Sequence, residues 1–169
     1  ADRYYSISPY AYWANNPIRL NDPTGMDMTD YGMTDDGRVK QIGETNDDPD
    51  RLYAITDKGE KKDVSGDGKV TEQDYVQVND KTILPELQNE NKNGVSKATR
   101  GSESANAIAS IFKLAAENTT VEFAFTKSVQ NGEVAFTVGT QHDSGYAPSI
   151  SKLGLSRGTM IDFTHSHNG

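Results

Sequence analysis

The clearest alternation of apolar and polar positions lies in the last third of the chain. Between Ser102 and Asn118, Ile108, Ile111, Phe112 and Ala115 recur at i, i+3, i+4 and i+7, which lines one face of a helix. Ser102 or Ser104, just ahead of that stripe, can accept a bond from the first free amides as an N-cap. From Thr120 to Thr126 the period changes to two: Val121, Phe123 and Phe125 alternate with Glu122 and Ala124, the pattern of a half-buried strand. Asn131-Gly132 then supplies two residues that tolerate positive φ, and Glu133 to Gly139 carries Val134, Phe136 and Val138 on one face, so a hairpin is expected. A long loop, Thr140 to Leu155, leads into a final strand at Thr159–Thr164. An apolar helix stripe needs an apolar surface to cover it. The pattern therefore predicts an α+β fold, an amphipathic helix packed on a small, mostly antiparallel sheet.

The earlier part of the chain is patterned more weakly. Residues 26–101 read as an acidic, loop-rich linker with one strand at Leu52–Thr56 closed by the turn Asp57-Lys58-Gly59, room for one hairpin, and a short strand signal between Val76 and Leu87 interrupted by Pro85. Gln88 to Gly101 reads as loop. Residues 1–25 combine Tyr4, Tyr5, Tyr10, Tyr12 and Trp13 with the turn sequences Asn15-Asn16-Pro17 and Asp22-Pro23-Thr24-Gly25. So many rings in so short a stretch predict a segment packed against something rather than a solvated linker.

Composition narrows the function. At 169 residues the chain can form one domain with a core, or a small domain with an appendage. A net charge of -8, concentrated between Asp22 and Asp80, argues against partnership with nucleic acid or an anionic membrane surface. There are no cysteines, which removes thiolate metal sites and thiol nucleophiles. No apolar run is long enough to span a membrane, and the start at Ala1-Asp2-Arg3 has no signal-peptide pattern and reads as the middle of a longer protein.

Two segments carry candidate chemistry. His165-Ser166-His167 follows directly on the last strand. On an extended chain side chains alternate, so both rings face one way, with Cα atoms roughly 6–7 Å apart. Each can then reach one Zn²⁺ at about 2.0–2.1 Å. The plain alternative is a solvated tail. The second segment, Asp63 to Asp74, fits the twelve-residue calcium loop: Asp63, Ser65 and Asp67 at positions 1, 3 and 5, Gly68 at the bend, the Lys69 carbonyl at 7, Thr71 at 9 and Asp74 at 12. Val70 would supply a small strand contact, no helix precedes the loop, and a hydrophilic Asp/Gly-rich loop is the bland reading. His142 could serve as ligand or base, although a loop histidine is usually solvated. Ser144 has no base at a recognisable spacing.

Two family resemblances add to this. Arg3-Tyr4-Tyr5-Ser6-Ile7-Ser8-Pro9-Tyr10-Ala11-Tyr12, then Asn15-Asn16-Pro17-Ile18-Arg19 and Asp22-Pro23-Thr24-Gly25, resembles the C-terminal end of the RHS repeat-associated core, after which a variable effector domain begins. Residues 102–169, with Glu122 lying 43 positions before His165-Ser166-His167, resemble the JAB/MPN (JAMM) metalloprotease family. With the RHS-like start, the match narrows to the JAB-like toxin domain of bacterial polymorphic toxins. The resemblance implies that His165 and His167 bind zinc and that Glu122 is the catalytic proton acceptor and donor, with Glu133 as its competitor in the sequence.

It also implies a secreted or cell-surface bacterial effector delivered into a target cell, with a protein or peptide-like substrate, an immunity protein and the rest of the RHS shell as partners. Asn168 stands where the main family has proline, and the sequence ends before the family's downstream serine and aspartate. The expectation is therefore an incomplete JAB/MPN-like domain with weak or absent zinc binding and no turnover in this fragment. The alternative function is a non-catalytic, calcium-binding interaction module.

Overall fold

In the computed structural model, the described residues are 28–167. The aromatic, RHS-like segment 1–25 and Asn168 lie outside them. The architecture is α+β, with two four-stranded sheets and one main helix.

The first sheet is made of β1 (Met28–Met33), β2 (Val39–Gln41), β3 (Asp48–Ala54) and β4 (Tyr75–Val78) in the order β2-β1-β3-β4. β1 pairs antiparallel with β2 and parallel with β3, with a register shift between Met28 and Asp30, and β3 pairs antiparallel with β4. The expected strand at Leu52–Thr56 is found in β3 and the strand signal from Val76 in β4, but a four-stranded sheet occupies what otherwise reads as a loop-rich linker. Buried charge hides its period. Asp30, 9% exposed, bonds Arg51 at 2.7 Å and Lys61 at 2.6 Å, and Asp50, 1% exposed, bonds Lys81 at 2.8 Å. Acidic residues at buried strand positions look like loop residues until their cations, 21 to 31 residues further on, are in place. Gly32 is needed for packing, because a Cβ there would lie 2.5 Å from the Ile55 Cδ1. The expected turn after Ile55 is present: the Gly59 amide donates to the Thr56 carbonyl and Gly59 has φ +86.

The region 76–87 resolves into β4 and a short helix, α1 (Ile83–Leu87), in which Pro85 sits within the first turn, where a missing N–H costs nothing. The expected loop 88–101 ends in a strand, β5 (Ser96–Arg100). After a 3-10 turn at Ser102–Ser104 comes α2 (Ala105–Asn118). Neither expected serine caps it with its side chain; Ser104 instead bonds back to the Gly101 carbonyl through its amide. The second sheet adds β6 (Phe123–Gln130), β7 (Glu133–Thr140) and β8 (Met160–His165), fully antiparallel in the order β5-β7-β6-β8. The β6–β7 hairpin turns at Asn131 (φ 52) and Gly132 (φ 82), as Asn-Gly predicts.

The helix stripe falls where its period places it: Ile108, Ile111 and Ala115 are fully buried and Phe112 is partly buried. One core cluster joins Met33, Leu52, Val78 and Leu84 from the first sheet and α1 to Ile108, Ile111, Phe123 and Val138 of the second half. Helix α2 contacts β5, β6 and β7 and also β3 and β4. The long loop after β7 is anchored by Leu153, which is fully buried beside Val95 and Ala124.

Candidate functional site

β8 runs antiparallel to β6, with His165 opposite Ala124. That register brings the end of β8 to the residues that precede β6. Glu122 is one position short of the strand that its alternation predicts, and sits at the exit from the α2–β6 connection. The two segments are stapled next to the charged groups: the Phe123 amide donates to Ser166 Oγ at 2.9 Å and the Ser166 amide donates to the Phe123 carbonyl at 3.0 Å. Ser166 is buried while His165 and His167 on either side are exposed, which is the alternation expected of an extended His-Ser-His.

The result is convergence. Glu122 Oε1 lies 3.8 Å from His165 Nδ1 and Glu122 Oε2 lies 3.7 Å from His167 Nδ1, and the two ring centroids are 4.4 Å apart. One ligand atom from each of the three residues falls within 4.8 Å of the others. Four-coordinate zinc with bonds of about 2.0–2.1 Å separates its ligand atoms by roughly 3.3–3.4 Å, closer than the 3.7 and 3.8 Å between the carboxylate oxygens and the two rings. Two imidazoles and one carboxylate suit a borderline dication. The Glu122 side chain is 9% exposed, whereas those of His165 and His167 are 39% and 75% exposed, so an ion entering from solvent meets the rings first and the carboxylate behind them.

Glu133, the competing glutamate, is exposed opposite Gln130 at the hairpin end of β6. Gln130 is six residues beyond Ala124, roughly 20 Å along the strand, so Glu133 belongs to a different end of the sheet. Ser144 is exposed. His142 is neither solvated nor among the gathered groups: its side chain is 5% exposed, its φ is 58, and both ring nitrogens have partners. No feature of the sequence near His142 signals this burial, because every ring partner comes from a distant segment.

The loop 63–74 brings Asp63, Asp67 and Asp74 oxygens within 4.8 Å of one another. Asp63 accepts from the Gly68 and Gly66 amides, both at 2.7 Å, and from the Ser65 hydroxyl at 3.1 Å. Asp74 accepts from the Thr71 and Ser65 amides at 2.7 Å and from the Thr71 hydroxyl at 3.3 Å. These bonds, led by the Gly68 amide for Asp63 and the Thr71 amide for Asp74, hold both carboxyls below their ordinary range. Positive φ at Gly66 (79) and Gly68 (99) makes the bend that the spacing predicts. Val70 makes no strand contact and is exposed, and the Lys69 amide bonds Asp67 at 3.1 Å.

Among the described residues, no helix is long and apolar enough to cross a membrane. No curated protein and no solved structure matches the chain. Residues 100–169 match the model of a family described as JAB-like toxin 1, a span that runs from the end of β5 and contains α2, Glu122, His165 and His167.

Proposed function

We propose that this chain carries the effector domain of a bacterial toxin, and that its C-terminal unit is a zinc-dependent peptidase or isopeptidase. The observation that carries the reading is the meeting of Glu122 with His165 and His167, 43 residues apart in sequence and within 4.8 Å in space, inside the segment that matches the JAB-like toxin family. The RHS-like residues 1–25 support its placement behind an RHS shell, and a toxin of this kind requires an immunity partner in the cell that makes it. Release from that shell and delivery into a target cell follow from the same reading.

His165 and His167 would hold the ion as neutral imidazoles. When bound, zinc polarises an amide carbonyl and makes water acidic enough to lose a proton near neutral pH. Glu122 would take a proton from the attacking water and return it to the leaving amine, acting as base and then as acid. Its backbone is fixed by bonds from its own amide to the Asp143 carbonyl at 2.9 Å and from the Thr140 hydroxyl to its carbonyl at 2.8 Å, which sets the point from which the side chain reaches the two rings. The test is zinc-dependent cleavage of amide-linked and isopeptide-linked fluorogenic peptides by a chain that carries the family's downstream serine and aspartate, and by its Glu122→Gln variant. The reading expects a loss of about 100-fold or more in kcat for the variant. Equal turnover by both proteins would remove Glu122 from the mechanism.

A second reading rests on the Asp63–Asp67–Asp74 group: the loop binds Ca²⁺ and stiffens the connection between β3 and β4, and the chain is a calcium-binding interaction module rather than an enzyme. Calorimetric titration with Ca²⁺ at millimolar concentration tests it, since isolated extracellular loops bind in about the 0.1–1 mM range. Absence of heat at that concentration would eliminate it.

A further inference from the structure

Glu122 is also held from outside the segment that matches the toxin family. The turn between β1 and β2, residues 34–38, closes on itself through Thr34 and Arg38 and lies against residues 120–123. The Thr120 amide donates to the Asp35 carbonyl at 2.7 Å and the Thr120 hydroxyl to the same carbonyl at 3.0 Å. Gly37, at φ +79, is so close that a Cβ there would stand 2.7 Å from Val121 Cγ2 and 3.0 Å from Phe123 Cε1. The turn therefore touches the residues on both sides of Glu122.

The other side of Glu122 is closed by the chain leaving β7. Thr140, fully buried, donates its hydroxyl to the Glu122 carbonyl at 2.8 Å and accepts the His142 amide at 3.0 Å. The Asp143 carbonyl takes the Glu122 amide. Between them His142 occupies the left-handed region, which is strained for a non-glycine residue and persists only where the surroundings enforce it. Its ring supplies that enforcement. Nδ1 is 2.9 Å from the Asp36 carbonyl, an acceptor only, so Nδ1 carries a proton; Nε2 is 3.0 Å from Ser96 Oγ on β5 and 3.6 Å from the Glu90 carboxylate. His142 thus ties the turn of the first sheet to the strands of the second, with Glu122 between the two attachments.

We propose that His142 and Thr140 are positioning residues for Glu122, and that the turn 34–38 forms part of the same site. Glu122 precedes the β6 ladder and has no strand pairing of its own, so this clamp is what sets its carboxylate against both histidine rings. The inference rests on the reading of Glu122, His165 and His167 as a metal centre. It predicts that the site needs the first sheet and cannot be assigned to the family-matched segment alone.

Zn²⁺ itself is the probe, with affinity measured by competition against a chromophoric chelator on the whole chain and folding checked by circular dichroism. Asparagine tolerates the left-handed region but cannot span from Asp36 to Ser96, so His142→Asn removes the ring ties and spares the backbone. Thr140→Val removes the bridging hydroxyl, and Thr140→Ser restores it. Expected are a weakening on the order of 10-fold or more in His142→Asn and in Thr140→Val, with Thr140→Ser close to the parent. If His142→Asn and Thr140→Val bind as tightly as the parent while His165→Ala binds more weakly, the clamp is wrong and the metal centre stands. If the parent does not bind Zn²⁺, or His165→Ala binds equally well, the metal centre and the clamp fall together. Should Thr140→Val not fold, His142→Asn decides. Should neither variant fold, Zn²⁺ must slow amide exchange at residues 34–38 of the parent, and unchanged exchange there overturns the proposal.

Discussion

Replacing Ser166 with alanine tests the joint on which the site depends. The Ser166 hydroxyl is the acceptor for the Phe123 amide, and the Phe123 side chain is 1% exposed in the main core. Removing the hydroxyl leaves a buried N–H without a partner, which costs about 1–3 kcal/mol. The reciprocal bond from the Ser166 amide to the Phe123 carbonyl survives, so the strand pairing weakens without being abolished. At about 2–4 °C per kcal/mol for a chain of this size, the midpoint of thermal unfolding should fall by roughly 2–12 °C. Urea unfolding should show the same loss at unchanged m, since the exposed surface hardly changes. Zn²⁺ affinity should fall as well, by on the order of 10-fold, because His165 and His167 flank the loosened residue. A Ser166→Ala protein within about 0.5 kcal/mol of the parent, with undiminished Zn²⁺ binding, would refute the reasoning.

Other outcomes follow from the same geometry. Gly32→Ala drives a methyl group into Ile55 and should destabilise the protein by about 1–3 kcal/mol in urea; a neutral result would show that β1 and Ile55 do not pack as described. Tyr53 is pushed up to about 12, first by burial and then by the Asp30 charge, while an unfolded tyrosine titrates near 10. Between about pH 10 and 12 the unfolded chain therefore releases a proton that the folded chain keeps, so stability is full below that window and falls as pH rises through it. Absorbance at 295 nm and urea midpoints across the window check both statements, and a rise in stability there would contradict them. Asp74→Ala removes the acceptor of the Thr71 and Ser65 amides and should both abolish Ca²⁺ binding and loosen the loop, read as faster amide exchange over residues 65–71.

How far the sequence carries depends on where each element finds its partners. Helix α2, the β6–β7 hairpin and β8 are legible because their apolar residues keep one period and their turn, Asn131-Gly132, is local. The gathering of Glu122 with His165 and His167 is legible for a related reason, since alternation orients the two rings and the family resemblance supplies the glutamate. β1 and the first residues of β3, ahead of the legible Leu52–Ala54, escape because Asp30 and Asp50 occupy buried positions and are neutralised by Arg51, Lys61 and Lys81 from elsewhere in the chain. β5 escapes because Ala98 is its only apolar residue: Thr99 instead shares a hydroxyl bond with Thr137 at 2.8 Å, and Arg100 pairs with Asp80 and Glu86. His142 reads as a solvated loop residue because Asp36, Glu90 and Ser96 meet its ring only through the tertiary fold. Elements stabilised by local period declare themselves; those stabilised by non-local ion pairs and hydroxyl bonds do not.

The central claim, that Glu122, His165 and His167 form one metal centre, is tested most directly by titrating Zn²⁺ into the protein and into His165→Ala and His167→Ala. The account predicts weak binding of one ion per chain, weakened further in either variant, since each removes one of the few protein ligands. Zn²⁺ binding that is undetectable in the parent, or equally tight in both variants, would contradict it.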